Sequence, residues 1–355
     1  MTQQLAGSHV AVVGGGAIGS ILAGHLTSAG VPVTVVDPWF RHVEEIRTAG
    51  VQITAPDEVH RFRLAALNVD EVDEVDRPVD VLLVAVKAYD SAVAIGLMRH
   101  LLHGSSIVVP VQNGMTAQWF CRLVGASRVV GCSVHVPAEL TGPGTVVRYL
   151  SREQRTFTLG EVDGPVTARV RQLAELFAPA GSTDVADDLA AVKWGKLAVN
   201  AMTNAPAGLT GWTTHRLWSD PAHVPLAVRA AGETVAVAEA AGVVPAPLFG
   251  RLDPTLFRAA LHDRGAARDA AAALGVEAQG RTGASESRPS LLQDVDRGRR
   301  TEVRYLNGHV VAEGAARGVP TPVNAALQRL VEQVDRGALQ RDPANLERLV
   351  ALVAG

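Results

Sequence analysis

Cysteine is scarce: the chain of 355 residues has two, Cys121 and Cys132. Two thiols without C-x-x-C spacing build neither a disulfide framework nor a metal cluster, and read as buried thiols in a reducing compartment. A basic excess is also missing. The formal net charge is −3, so the charge gives no sign of nucleic acid. No apolar run reaches the roughly 20 residues that span a bilayer. The opening M-T-Q-Q-L-A-G-S lacks a basic segment followed by an apolar one, so no signal peptide is expected. These absences predict a cytoplasmic protein with neither a membrane nor a nucleic-acid partner. What the chain has in quantity is apolar residues, 47%. That is enough for the cores of two domains at the usual size of about 100–200 residues each.

The most informative stretch runs from Ala11 to Leu26, A-V-V-G-G-G-A-I-G-S-I-L-A-G-H-L. An apolar β-branched run at His9 to Val13 leads into G-x-G-x-x-G at Gly14, Gly16 and Gly19, and helical periodicity follows from Ala17 to Ala29. A bound pyrophosphate accounts for all three glycines. Gly14 allows a tight turn, Gly16 carries no Cβ to hold a phosphate away, and Gly19 lets the helix lie close on the strand. Ala17 and Ile18 complete the helix N-terminus, whose partial positive charge suits phosphate. A second strand, Val31 to Val36, ends in Asp37, where the ribose of a dinucleotide would be held.

Further strands and helices alternate. Trp39 to Ala49 reads as a helix, Val51 to Thr54 and Arg61 to Leu67 as short strands, and V-D-V-L-L-V-A-V at Val79 to Val86 as a strand covered on both faces. A helix at Asp90 to Leu102 and a strand at Ser106 to Val111 follow. Lys87 and the Gln112-Asn113-Gly114 turn stand at C-terminal strand ends, the rim on which doubly wound sheets bind ligands. Short antiparallel strands are expected between Val129 and Leu159, then a helix from Pro165 to Phe177. Beyond Asp187 the pattern is helical: Asp188 to Asn204, Leu226 to Ala241, Pro254 to Leu274, Thr301 to Ala316, Pro322 to Arg336 and Asn345 to Val353. The polar, glycine-rich Gln279 to Arg288 reads as an exposed loop. The fold class is therefore α/β, a Rossmann-type doubly wound sheet in residues 1–186 followed by an all-helical domain in residues 187–355.

Two polar clusters interrupt the helical half. Lys196, Asn200 and Asn204, in K-L-A-V-N-A-M-T-N, recur every four residues along one stripe of an apolar helix. Buried there, they would need partners; on spacing alone the stripe reads equally as a solvated face. The second cluster is S-L-L-Q-D-V-D-R-G-R-R-T-E-V-R-Y-L-N-G, Ser290 to Gly308, in which Thr301 and Glu302 read as a capped helix start.

Together with Val86-Lys87 and Gln112 to Gly114, these motifs resemble ketopantoate reductase (2-dehydropantoate 2-reductase) in order and over nearly the whole chain. The resemblance implies a nicotinamide-dependent oxidoreductase that reduces a small 2-oxo acid in a cleft between the two domains. It makes Lys196 the catalytic proton donor to the ketone oxygen and Glu302 the residue that positions a substrate hydroxyl. Ser290, with Asn200 and Asn204, would hold the substrate carboxylate. Asn113 would stand near nicotinamide and substrate, and Lys87 at the cofactor end. Ser290 and Glu302 would lie about 18 Å apart on one straight helix, so the segment must break, and Gly298 is the natural place.

The chain departs from the family at three points. Asp37 stands where a basic residue suited to the 2′-phosphate of NADP is common, so of NAD(H) and NADP(H) it favours NAD(H), although Arg41 and His42 are close enough to supply positive charge. The helical half is longer, between Phe249 and Arg288 and at the C-terminal tail. Arg304 replaces a common acidic residue. The expected partner is a small 2-oxo acid, and a homodimer is compatible with the sequence. The competing readings are a dehydrogenase of another oxo or hydroxy acid on the same scaffold, and a non-catalytic NAD(P)-binding sensor.

Overall fold

The structure is a computed structural model that describes residues 7–279 and 288–354. It divides into two compact units, Met1–Leu189 and Ala190–Gly355. The first begins with β1 (Val10–Val13), α1 (Ala17–Ser28), β2 (Val33–Asp37), α2 (Phe40–Thr48), β3 (Val51–Thr54), β4 (Val59–Phe62) and β5 (Ala65–Asn68). It continues through β6 (Val79–Val84), α3 (Ser91–Met98), β7 (Leu102–Pro110), α4 (Ala117–Val124), β8 (Val130–Val134), β9 (Ala138–Gly142) and β10 (Thr145–Arg148). β11 (Arg155–Glu161), α5 (Ala168–Phe177) and β12 (Ser182–Val185) complete it.

The central sheet is five-stranded and parallel, in the order β5-β2-β1-β6-β7. The chain winds outward from β1 to β2 and β5, then returns to lay β6 on the other side of β1. The switch point thus falls between the C-terminal ends of β1 and β6, where such sheets bind ligands. Val10 and Val12 of β1 enter one apolar core with Ile21 and Leu22 of α1 and Ile46 of α2. Ala11 and Val13 enter the opposite core with Ile95 and Met98 of α3 and Phe120 of α4. Burial on both faces explains why this strand is uniformly apolar.

Two smaller sheets accompany it, in the orders β4-β3-β10-β9 and β12-β11-β8. The expected single strand from Arg61 to Leu67 is split between sheets: β4 pairs with β3, and β5 pairs with β2. The strands expected between Val129 and Leu159 likewise part company. β9 and β10 form a hairpin whose second strand lies parallel to β3, while β8 pairs with β11.

The second unit is helical among the described residues: α6 (Leu189–Thr210), α7 (Thr214–Ser219), α8 (Val224–Ala240), α9 (Pro254–Ala259), α10 (Arg264–Gln279), α11 (Ser290–Asp296), α12 (Asn307–Arg317), α13 (Pro322–Asp335) and α14 (Asn345–Ala354). The helix expected over Pro254 to Leu274 is two helices, because Asp263 Oδ1 accepts the Ala266 N–H at 2.6 Å and caps a new start. α11 ends as expected before Gly298, which sits at φ +62 while the Arg299 N–H returns to the Asp294 carbonyl at 2.8 Å. The expected exposed loop, apart from its end residues Gln279 and Arg288, lies outside the described residues. No helix among the described residues is long and apolar enough to cross a membrane.

Candidate active site

The rim of the central sheet carries the first set of side chains. At Gly14 the backbone has φ +99, and a Cβ would lie 2.6 Å from the Val86 nitrogen. At Gly19 a Cβ would lie 2.0 Å from the Gly14 carbonyl oxygen. Both glycines are required by the protein itself. At Gly16 a Cβ would meet nothing within 4 Å, so the space over this residue is open, at the N-terminus of α1. That is the place a pyrophosphate needs. Asp37, ending β2, accepts the Gly15 N–H at 2.6 Å and the Trp39 N–H at 2.8 Å.

β1, β6 and β7 are neighbours in the sheet, which brings the glycine turn, Lys87 and Asn113 to one rim. Gln112 joins the last two: its Nε2 donates to the Val86 carbonyl at 2.7 Å and to Ser91 Oγ at 2.8 Å. The turn carrying Lys87 is thereby tied to the turn carrying Asn113.

His42 corrects an expectation. Its ring is fully buried. Nδ1 accepts the Gly144 N–H at 2.9 Å, so Nε2 bears the proton and donates to the Gly15 carbonyl at 2.7 Å. An imidazole accepting at one nitrogen is neutral, and it offers no positive charge to a 2′-phosphate. Arg41 is exposed.

The second set lies on and around α6. Lys196 is half-buried, and Asn200, one turn further along, is buried with Asn204. Asn204 Nδ2 donates to Asn200 Oδ1 at 3.2 Å, and Ser290 Oγ donates to Asn204 Oδ1 at 2.9 Å. Three of the polar residues read from the sequence therefore form one hydrogen-bonded chain. α11 packs against α6 at Gly208, where a Cβ would stand at an ordinary contact distance of 3.5 Å from that of Leu291, beside Ser290.

Glu302 is buried, but its segment is not the expected helix start. Thr301 donates its N–H and hydroxyl to the two carboxylate oxygens of Asp335, at 3.1 and 2.9 Å. Val303–Tyr305 then form a single 3-10 turn, and α12 begins at Asn307. Arg304 Nε pairs with Glu332 at 2.8 Å. Glu302 is thus held between two ties to α13, and Arg304 is engaged with a carboxylate.

Two family models of ketopantoate reductase cover most of the chain. "Ketopantoate reductase PanE/ApbA" matches residues 10–164, and "Ketopantoate reductase PanE/ApbA C terminal" matches residues 188–335. The chain belongs to the ketopantoate reductase family. A relative named 2-dehydropantoate 2-reductase from Halobacterium salinarum is 31% identical over 331 residues, 92% of this chain and 99% of that protein. The crystal structure of a PanE/ApbA family ketopantoate reductase from Ralstonia eutropha JMP134 superposes with a TM-score of 0.75 at 28% identity, covering 93% of this chain and 99% of that one. D-mandelate dehydrogenase, solved with NADH and anilino(oxo)acetate, shares the fold at a TM-score of 0.78 and 21% identity, with coverages of 93% and 99%.

Some residues of this ketopantoate reductase family member carry geometry that the sequence reading did not assign. Asn307 Nδ2 donates to the Ala201 carbonyl of α6 and to Asn324 Oδ1, both at 3.0 Å. Asn324 donates from Nδ2 to the Ala230 carbonyl at 3.0 Å and to Glu233 at 2.8 Å. Glu233 also accepts the Val323 and Asn324 N–H groups at 2.9 and 3.0 Å. This network ties α6 to α8, α12 and α13. Asn307 was visible in the Y-x-N-G motif, and Glu233 as the lone carboxylate of A-A-G-E-T-V-A-V-A. Asp335 left no such signal.

Burial pushes the Glu233 carboxyl above its usual range, and the N–H groups directed at it oppose that shift. Neutralising it with an amide should not help, because Glu233→Gln turns an NH2 toward a backbone N–H. The variant is expected to lose about 2–4 kcal/mol of stability, read as a lower melting temperature. An unchanged melting temperature would show that the network does not hold these helices.

Proposed function

We propose that this chain reduces the ketone of a small 2-oxo acid, 2-dehydropantoate or a close analogue, to the 2-hydroxy acid. A nicotinamide dinucleotide, when bound, supplies the hydride. Gly14, Gly16, Ala17, Ile18 and Gly19 would hold its pyrophosphate, with Asp37 at the ribose and Lys87 and Asn113 toward the nicotinamide end. Lys196 donates a proton to the ketone oxygen as negative charge develops there, and takes it back in the oxidative direction. Ser290, Asn200 and Asn204 orient the substrate carboxylate, and Glu302 accepts a hydrogen bond from a substrate hydroxyl. Family membership supplies the reaction class. The observation that carries the residue assignment is the Asn200–Asn204–Ser290 hydrogen-bonded chain, which starts one helical turn, about 6 Å along the axis, from Lys196.

Asp37 supports NADH as the working cofactor. Its carboxylate would repel a 2′-phosphate, and the neutral His42 offers no compensation. NADH and NADPH, each assayed against 2-dehydropantoate and a panel of other 2-oxo acids, test the reading. We expect turnover with 2-dehydropantoate or a near analogue and a preference for NADH. Preference for an unrelated oxo acid would favour the second reading, motivated by the lengthened segment that holds α9 and α10. Absence of oxidation with every pair would favour a non-catalytic sensor.

A further inference from the structure

We propose that His42 is a positioning residue for dinucleotide binding, and that the β9–β10 hairpin belongs to the cofactor apparatus through it. This rests on the reading of the glycine turn given above.

The peptide unit joining Gly15 to Gly16 is planar, and in its trans form the carbonyl and the following N–H point in opposite directions. Fixing one fixes the other. The Gly15 carbonyl is fixed twice, by His42 Nε2 at 2.7 Å and by Ser20 Oγ at 2.7 Å. Gly15 is also held at its own N–H by Asp37. With the Gly15 carbonyl pinned inward, the Gly16 N–H is turned the other way, at the residue over which a Cβ would meet nothing. An N–H set in advance loses less on binding than one that must first be oriented.

His42 can do this only as the Nε2–H tautomer, and Gly144 imposes that tautomer. The Gly144 N–H requires an acceptor at Nδ1, which leaves the ring proton on Nε2. The hairpin is locked where it can do so. Gly144 sits at φ +61, and a Cβ there would come 2.5 Å from Glu45 Cγ and 3.0 Å from the Gly50 carbonyl oxygen. Its own carbonyl accepts the Gln52 N–H at 2.7 Å. Trp39 stacks on the imidazole with centroids 5.5 Å apart and planes at 21°, closing its other side. The bonds therefore run from hairpin to imidazole to carbonyl, and the rigid peptide carries that constraint to the N–H offered to phosphate.

Two conservative variants separate positioning from simple support. Gln places its amide nitrogen near the position of Nε2, so His42→Gln retains the donor to Gly15 and loses the acceptor for Gly144. Asn places its oxygen near Nδ1, so His42→Asn retains the acceptor and loses the donor. Dissociation constants for NADH and NADPH are measured by quenching of tryptophan fluorescence, well below each variant's melting temperature. We expect His42→Gln to stay within about threefold of the parent and His42→Asn to bind about tenfold more weakly, the value of one oriented hydrogen bond. The 15N shifts of the His42 ring in the cofactor-free protein should report the Nε2–H tautomer. Equal affinities for both variants and the parent, or losses that track melting temperature alone, would overturn the proposal. Failure of the parent itself to bind either dinucleotide would instead overturn the reading of the glycine turn.

Discussion

Replacing Lys196 with alanine is expected to lower kcat by about 10²–10⁴-fold while leaving the dissociation constant for the dinucleotide unchanged. Lys196 stands on α6 and is not among the residues proposed to hold the dinucleotide, Gly14 to Gly19, Asp37, Lys87 and Asn113. The hydrogen-bonded chain of Asn200, Asn204 and Ser290 stays in place, so KM for the oxo acid should change much less than kcat. A loss concentrated in kcat marks an interaction made in the transition state. Lys196→Arg sharpens the test. It preserves the positive charge, but a guanidinium does not release its proton near neutral pH. If the role is proton donation, arginine should be nearly as slow as alanine. If the role is only charge, arginine should restore most of the rate. Near-normal turnover in Lys196→Ala would sink the assignment.

The second large effect is expected at Gly16. At φ −60 with nothing within 4 Å of a Cβ, the folded chain has room for a side chain there. Gly16→Val should therefore fold with nearly the parent melting temperature. A dinucleotide has no such room, because the branched side chain occupies the space over the helix N-terminus. Several backbone hydrogen bonds to phosphate would be lost together, and the dissociation constant should rise about a hundredfold or more. Valine at Gly14 or Gly19 should behave differently and damage folding first, since even a Cβ there would meet backbone at 2.6 or 2.0 Å. Measuring melting temperature and affinity on the same three variants separates the two kinds of glycine. Parent-like affinity in Gly16→Val would mean that the pyrophosphate lies elsewhere.

The glycine turn, the central sheet and the helical second half were legible because their signals are local or periodic. Val10 to Val13 is apolar because both faces of the strand are covered, and Asp37 ends its strand on the rim. The misread segments depend on distant residues. Arg61 to Leu67 is continuous in pattern, and only its partners, β3 for one half and β2 for the other, divide it. Thr301 looked like a helix cap because Asp335, which takes both of its donors, is remote in sequence. His42 looked like a cation for the same reason: its protonation is decided by the Gly144 N–H. The Asn200–Asn204 pair was legible as a stripe, but choosing between solvated face and bonded chain required Ser290.

The bond from Gly144 to His42 spans 102 positions. A strand–turn–helix that binds nucleotides is usually regarded as a local unit, complete soon after its residues are made. Here its last constraint is non-local, and the entropy of closing a long loop has to be met before it forms. During synthesis from the N-terminus, β1, α1, β2 and α2 emerge well before the hairpin, and although Ser20 and Asp37 can already hold Gly15, the bond that sets the His42 tautomer forms only when the Gly144 turn has docked. A nascent chain that ends before Ala138 holds all the glycines of the motif without that anchor, so the binding turn reaches its final form among the late events in the folding of this unit.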